Sequence, residues 1–269
     1  MTVALITGAN SGIGRGAAVD LAAKGWTVYG SMRSLDKGDK LAALAEEAGV
    51  AVHPVVCDVT DAASVDRAVA EVVADAGRID VLVNNAGIGG NGVLEETAVD
   101  DYASVMDVNL YGIIRACQAV LPHMREQGSG CILNVSSIAG VIAALAQSPY
   151  VASKWAVEGL THSWAMELGR HDIRVNCVAP GTIAGPRMQG VIDREAVAMG
   201  VEPADVKAAY EDQVSMRSFV EASDIAAMVT FLCSDAARLI NGQIVAVDGY
   251  TETLRTAFPD DARVGHVDF

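Results

Sequence analysis

The segment SPYVASKWAVEGL, Ser148 to Leu160, sets Tyr150 and Lys154 four residues apart. On a helix that spacing puts both side chains on one face. A free phenol has a pKa of about 10, too high for acid–base work at neutral pH. Lowering it by about two to three pH units takes roughly 3–4 kcal/mol. An ammonium about 4 Å away, at an effective dielectric of about 20, contributes about 4 kcal/mol. The pair is therefore energetically sufficient for general acid–base catalysis.

Three further features carry chemistry. The stretch TGANSGIG contains Gly8, Gly12 and Gly14 and runs from an apolar strand pattern into a helical one. Its glycines permit a tight turn and close approach of the backbone to a ligand. The helix start that follows offers free N–H groups and partial positive charge to a pyrophosphate. Ser137 directly follows the run CILNVS, thirteen residues before Tyr150, and strand ends at the carboxyl edge of an α/β sheet face the ligand crevice. Its neighbour Ser136 competes for the same part. Asn109 sits in DVNLYG, a helical context where Asn is locally unfavourable.

These residues need elements to hold them. Strand patterns occur at VALIT (3–7), TVYGSM (27–32), AVHPVV (51–56), IDVLVN (79–84), CILNVS (131–136), IRVNCVA (173–179) and QIVAVD (243–248). Helical patterns such as 12–25 and 62–77 lie between them. Apolar strands that alternate with helices predict parallel strands buried on both faces. Right-handed crossovers then make a Rossmann-like doubly wound parallel sheet of the α/β class, about seven strands with helices on both faces. No repeat or linker divides the chain, so residues 1–269 read as a single domain. Residues 184–215 break the rhythm as a long, loosely helical insertion, the length of a functional loop. A polar tail follows from Gly249 to Phe269.

Composition narrows the function. The chain has 269 residues, 51% of them apolar, and a formal net charge of −15. Such acidity disfavours nucleic acid and anionic membrane as partners. No apolar run is long enough for a transmembrane helix, and the N-terminus shows no signal peptide. The five cysteines, Cys57, Cys117, Cys131, Cys177 and Cys233, are scattered without CxxC spacing. They read as reduced, mostly buried thiols of a cytoplasmic protein, with no metal cluster.

TGANSGIG, NNAG (84–87), Asn109, NVSS (134–137), YVASK (150–154), VAPG (178–181) and GQIVAVDGY (242–250) occur in that order over nearly the whole chain. Together they resemble the short-chain dehydrogenase/reductase family. The resemblance implies an NAD(P)-dependent oxidoreductase that moves a hydride between nicotinamide C4 and a carbonyl carbon. It makes Tyr150 the general acid/base and has Lys154 also hydrogen-bond the nicotinamide ribose. It places Ser137 on the substrate oxygen and gives Asn109 a water that links Lys154 to solvent. It assigns Asn84 to bracing the sheet. Gly8, Asn10, Ser11, Gly12, Ile13 and Gly14, then Asn85, Ala86 and Gly87, would line the cofactor. Asp58 and Val59 would meet adenine, and Pro180, Gly181 and Ile183 the carboxamide. Where relatives often carry a cofactor-binding Thr, this chain has Gly185.

Relatives that use NAD carry an acid at the end of the second strand; here Met32 is followed by Arg33 and Ser34. A cation there suits a 2′-phosphate. NADP(H) is therefore favoured, with NAD(H) open because Arg33 could instead stack on adenine. The insertion corresponds to the variable substrate loop. Its acidic balance disfavours a large polyanion, and Ile138, Ala139, Gln147 and Met188, with Ser137 and Tyr150, predict a mostly apolar pocket with a few polar groups for a small or medium ketone or secondary alcohol. Alternatives are a 3-oxoacyl thioester (carrier-protein) reductase and a non-catalytic NAD(P)-binding regulatory protein. The resemblance also implies a homo-oligomer, tetramer or dimer.

Overall fold

The computed structural model describes residues 2–254. The tail beyond Leu254 lies outside the described residues. Seven strands form one parallel sheet: β1 (Val3–Ile6), β2 (Thr27–Met32), β3 (His53–Val56), β4 (Val81–Asn84), β5 (Gly130–Val135), β6 (Ile173–Pro180) and β7 (Ile244–Val247). Their order is β3-β2-β1-β4-β5-β6-β7. The order reverses between β1 and β4, and a crevice opens at such a switch point.

The helices are α1 (Gly12–Ala23), α2 (Asp39–Glu47), α3 (Ala62–Ala76), α4 (Val99–Met106), α5 (Gly112–Gln127), α6 (Ile138–Val141), α7 (Ser148–Leu168), α8 (Pro186–Met199), α9 (Pro203–Glu211) and α10 (Ala222–Cys233). The sheet buries both faces. On one side Leu5, Leu82, Ile132 and Val175 pack against α3, α5 and α7. On the other Ile6, Val83, Leu133 and Val178 pack against α1, α2 and α10. Successive residues of the central strands β1, β4, β5 and β6 thus feed opposite cores, which is why these strands are rich in apolar residues.

Local signals set the ends. Asp61 caps α3 by accepting from the Ala63 N–H, and Gly77 at φ 75° ends that helix. The insertion folds as two helices. Proline starts each of them, at Pro186 and Pro203, and Gly200 at φ 68° stops α8. Ile192, Ala196 and Val206 give the pair a small core of its own. Two bridges, Ile183 with Val220 and Val214 with Thr251, fasten the base of this unit to the sheet end. The loosely helical sequence pattern of 184–215 reflects that division: each helix has only a narrow apolar stripe, facing the other. Among the described residues, no helix is long and apolar enough to cross a membrane.

Candidate active site

The glycine turn follows β1 and NNAG follows β4, side by side at the switch point. Gly8 (φ 66°) and Gly12 (φ 49°) take the left-handed backbone that glycine allows. The Thr7 hydroxyl accepts from the N–H groups of Asn85 and Ala86 at 3.0 and 3.1 Å. The Asn85 amide returns the bond, donating to the carbonyls of Thr7 and Gly8, both at 3.0 Å. Asn85, expected along the cofactor, thus turns its side chain into the glycine turn and holds its shape. Ser11 caps α1 without a side-chain bond, and the first turn of that helix holds no acid. A Cβ on Gly12 would meet nothing within 4 Å, so the turn opens outward beside Asn10, Ser11 and Ile13. Unspent N–H groups, open space and no competing carboxylate fit the pyrophosphate of a dinucleotide.

Asn109 lies in a π-helical turn, Asp107–Tyr111, between α4 and α5. Regular helix was expected there; the turn rotates Asn109 inward, fully buried. Its amide donates to the Ile88 carbonyl at 2.9 Å and to Ser153 Oγ at 3.0 Å, and its oxygen accepts from the Ile88 N–H at 2.8 Å. The side chain therefore pins the loop after β4 to α7.

Tyr150 and Lys154 share the inner face of α7. Lys154 is buried, with Nζ 5.4 Å from the Tyr150 ring centre. Nζ donates to the Val135 carbonyl at 2.8 Å, which ties α7 to the end of β5, two residues before Ser137. The two serines there separate cleanly. Ser136 is buried and donates to Glu158 Oε1 at 2.8 Å. Ser137 is half-buried, caps α6, and accepts from the Ala139 N–H at 3.2 Å. Of the two, Ser137 has a hydroxyl proton uncommitted. Gly87 is where the sites meet: a Cβ on it would stand 3.3 Å from Asn109 Oδ1 and 3.7 Å from Lys154 Nζ.

Glu158 was not read from the sequence as part of this cluster, although 150, 154 and 158 follow helical spacing. Burial raises its carboxyl above the usual value, partly offset by the Ser136 bond and by the charges of His162 and Lys154.

The remaining expected residues fall around the same edge. Gly181 donates its N–H to the Val247 carbonyl at 3.0 Å, which stitches the Pro180–Gly181 turn to β7, and Ile183 follows on its bridge to Val220. Asp58 accepts from the N–H and hydroxyl of Thr60, and these bonds hold its carboxyl below the usual range. Val59 is buried under Gly112. Arg33 is exposed and, among the described residues, makes no hydrogen bond or ion pair, though its charge reaches Asp58. Ser34 bonds Asp36. Ile138 and Ala139 are buried and offer a ligand little surface. Gln147 pairs with Gly92 at the start of α7, and Met188 packs on the small core of α8 and α9.

A family model described as enoyl-(acyl carrier protein) reductase matches residues 8–251, from the glycine turn to just past β7. The chain belongs to the short-chain dehydrogenase/reductase family. A 3-oxoacyl-[acyl-carrier-protein] reductase of Thermotoga maritima is 37% identical over 247 residues, 92% of this chain and 96% of that one. A levodione reductase of Leifsonia aquatica is 37% identical over 254 residues, 92% of each chain. Among solved structures, an actinorhodin polyketide ketoreductase with NADPH superposes with a TM-score of 0.87 at 34% identity, covering 92% of this chain and 96% of that one. A xylitol dehydrogenase with bound NAD+ gives 0.86 at 32%, covering 92% and 98%. This short-chain dehydrogenase/reductase is a nicotinamide-dependent oxidoreductase of carbinol and carbonyl groups.

Proposed function

We propose that the enzyme interconverts a secondary alcohol and a ketone with NADP(H), using Tyr150 as general acid/base. The observation that carries the reading is the Lys154 ammonium, buried beside the Tyr150 ring and anchored to the β5 end that delivers Ser137. The nicotinamide, when bound, supplies or accepts the hydride. In reduction the Tyr150 hydroxyl gives its proton to the developing alkoxide, and in oxidation the phenolate takes it back. Lys154 stabilises that phenolate by its charge. The Ser137 hydroxyl donates to the same substrate oxygen and holds it as charge develops. Asn109 positions these groups by fixing the loop at Ile88. The glycine turn and Asn85–Gly87 hold the nucleotide, and Arg33 meets its 2′-phosphate.

A panel of ketones and secondary alcohols, each with both cofactor pairs, tests this through nicotinamide absorbance. The expected result is turnover with NADP(H) above NAD(H). Tyr150→Phe lowers kcat by about 10²–10⁴-fold. Arg33→Ser erodes the NADP(H) preference by about 10- to 100-fold. Preference for NAD(H) would reject the role of Arg33 while leaving the tyrosine chemistry standing. A second reading, reduction of 3-oxoacyl thioesters, is favoured by the name of the Thermotoga relative, and such thioesters belong in the panel. Exposed Trp155 and Met166 on α7 support a homo-oligomer.

A further inference from the structure

We infer that Arg187 forms an anion-reading subsite at the substrate end of the cleft, selecting carbonyl or carbinol substrates that carry a carboxylate or phosphate. The inference rests on the proposed oxidoreductase site and deepens it.

The loop after β4 marks out the cleft residue by residue. Ala86 lies against Gly8 of the glycine turn. Gly87 lies against Lys154 and Asn109. A Cβ on Gly90 would stand 3.1 Å from Pro149, the neighbour of Tyr150, and Gly92 pairs with Gln147. The loop therefore walks from the phosphate cradle, past the catalytic lysine, to the start of α7. Gly89 stands on the far side of Lys154 from the cradle. Arg187, in the first turn of α8, reaches across the cleft to it: a Cβ on Gly89 would lie 2.9 Å from Arg187 Nη2. With no side chain at 89, the guanidinium lies close against the loop backbone.

Arg187 is an exposed cation in the first turn of α8. Arg187 makes no ion pair or hydrogen bond among the described residues, in a chain with a net charge of −15. Lys207, in the same insertion, pairs with Glu211 at 3.3 Å. A positive side chain in the first turn of a helix also opposes the helix dipole. At the open mouth of the cleft, its unpaired guanidinium is a fork-shaped receptor for two oxygens of an anion. The acidic balance of the surrounding insertion limits that anion to a single group.

The experiment compares matched substrates with wild type, Arg187→Met and Arg187→Lys. One arm sets 3-oxobutanoate and 4-oxopentanoate against their methyl esters. The other sets 3-oxobutanoyl phosphopantetheine against 3-oxobutanoyl pantetheine. Steady-state kcat/KM is read with saturating cofactor. A second readout titrates each compound into cofactor-loaded protein and follows nicotinamide fluorescence, so that binding is scored without turnover. The expected result is that Arg187→Met weakens the anionic member of one arm about 10- to 100-fold more than its neutral partner. Arg187→Lys recovers part of the loss. The responding arm identifies the anion as carboxylate or phosphate. Equal responses of anionic and neutral members in both readouts overturn the inference. Arg187-dependent binding without turnover by wild type would retain the subsite and reject the oxidoreductase reading. Turnover indifferent to Arg187 would do the reverse.

Discussion

The side-chain amide of Asn85 fills the space that a Cβ on Gly14 would take. A Gly14 Cβ would also stand 2.6 Å from the carbonyl oxygen of Gly8, a backbone atom that cannot step aside. Gly14→Ala is therefore expected to cost about 1–3 kcal/mol of stability and to weaken nucleotide binding at least tenfold. Gly12→Ala meets no atom within 4 Å but forces a side chain into φ 49°. Its cost is about 1–2 kcal/mol from the backbone alone. Asn85→Ala removes two bonds to the turn and should weaken nucleotide binding more than it lowers the melting temperature. Calorimetric titration and thermal melts of the three variants check the ranking.

A polar ladder crosses the sheet into α7. Asn84 donates to Asn134 at 3.0 Å, Asn134 donates to Thr161 at 2.9 Å, and Thr161 donates to the Val157 carbonyl at 2.9 Å. All three side chains are buried. Asn134→Ala leaves Asn84 with only a weak bond to Cys117 and removes a tie on α7. The expected loss is about 2–3 kcal/mol, read from the urea midpoint at unchanged slope.

Glu158 predicts a pH dependence. Burial raises its folded-state pKa above the ordinary 4.5, so the folded protein holds that proton more tightly than the unfolded chain. The stabilising effect is complete below about pH 4.5 and is lost as pH rises through the raised value. Glu158→Gln keeps an acceptor for Ser136 without the charge. Its melting temperature should match that of wild type at low pH and exceed it increasingly as pH rises past 4.5. A gap that widens toward acid would reverse the assignment.

The thiols should be inert in the native protein. Burial pushes Cys57 up to about 11 and Cys117 and Cys177 up to about 12. All five cysteines are buried and free. Iodoacetamide at pH 7 is expected to leave the folded chain unmodified over a time in which the urea-unfolded chain is fully alkylated. Mass spectrometry reads both, and modification of folded Cys57 would contradict the packing beneath β3.

Strand positions, the doubly wound class and the order of motifs were legible in the sequence because each rests on local pattern. Unbroken apolar runs such as Val3–Ile6 mark strands buried on both faces, and glycines mark turns that only they can make. The spacing of Tyr150 and Lys154 was readable for the same reason, since one helix sets it. What local pattern cannot carry is which distant segments meet. Asn109 reads as a residue of a regular helix until the π-turn swings it onto Ile88, seventy-odd ångströms of extended chain away. That Asn85 also braces the glycine turn shows only once β4 is set beside β1. The choice between Ser136 and Ser137 turns on Glu158, which only the packing of α7 against β5 brings to one of them. Arg187 is a plain surface charge along the chain. It comes to lie against Gly89 because the insertion folds back over the loop after β4, a contact between segments about a hundred residues apart whose pairing is decided by the whole core rather than by either segment.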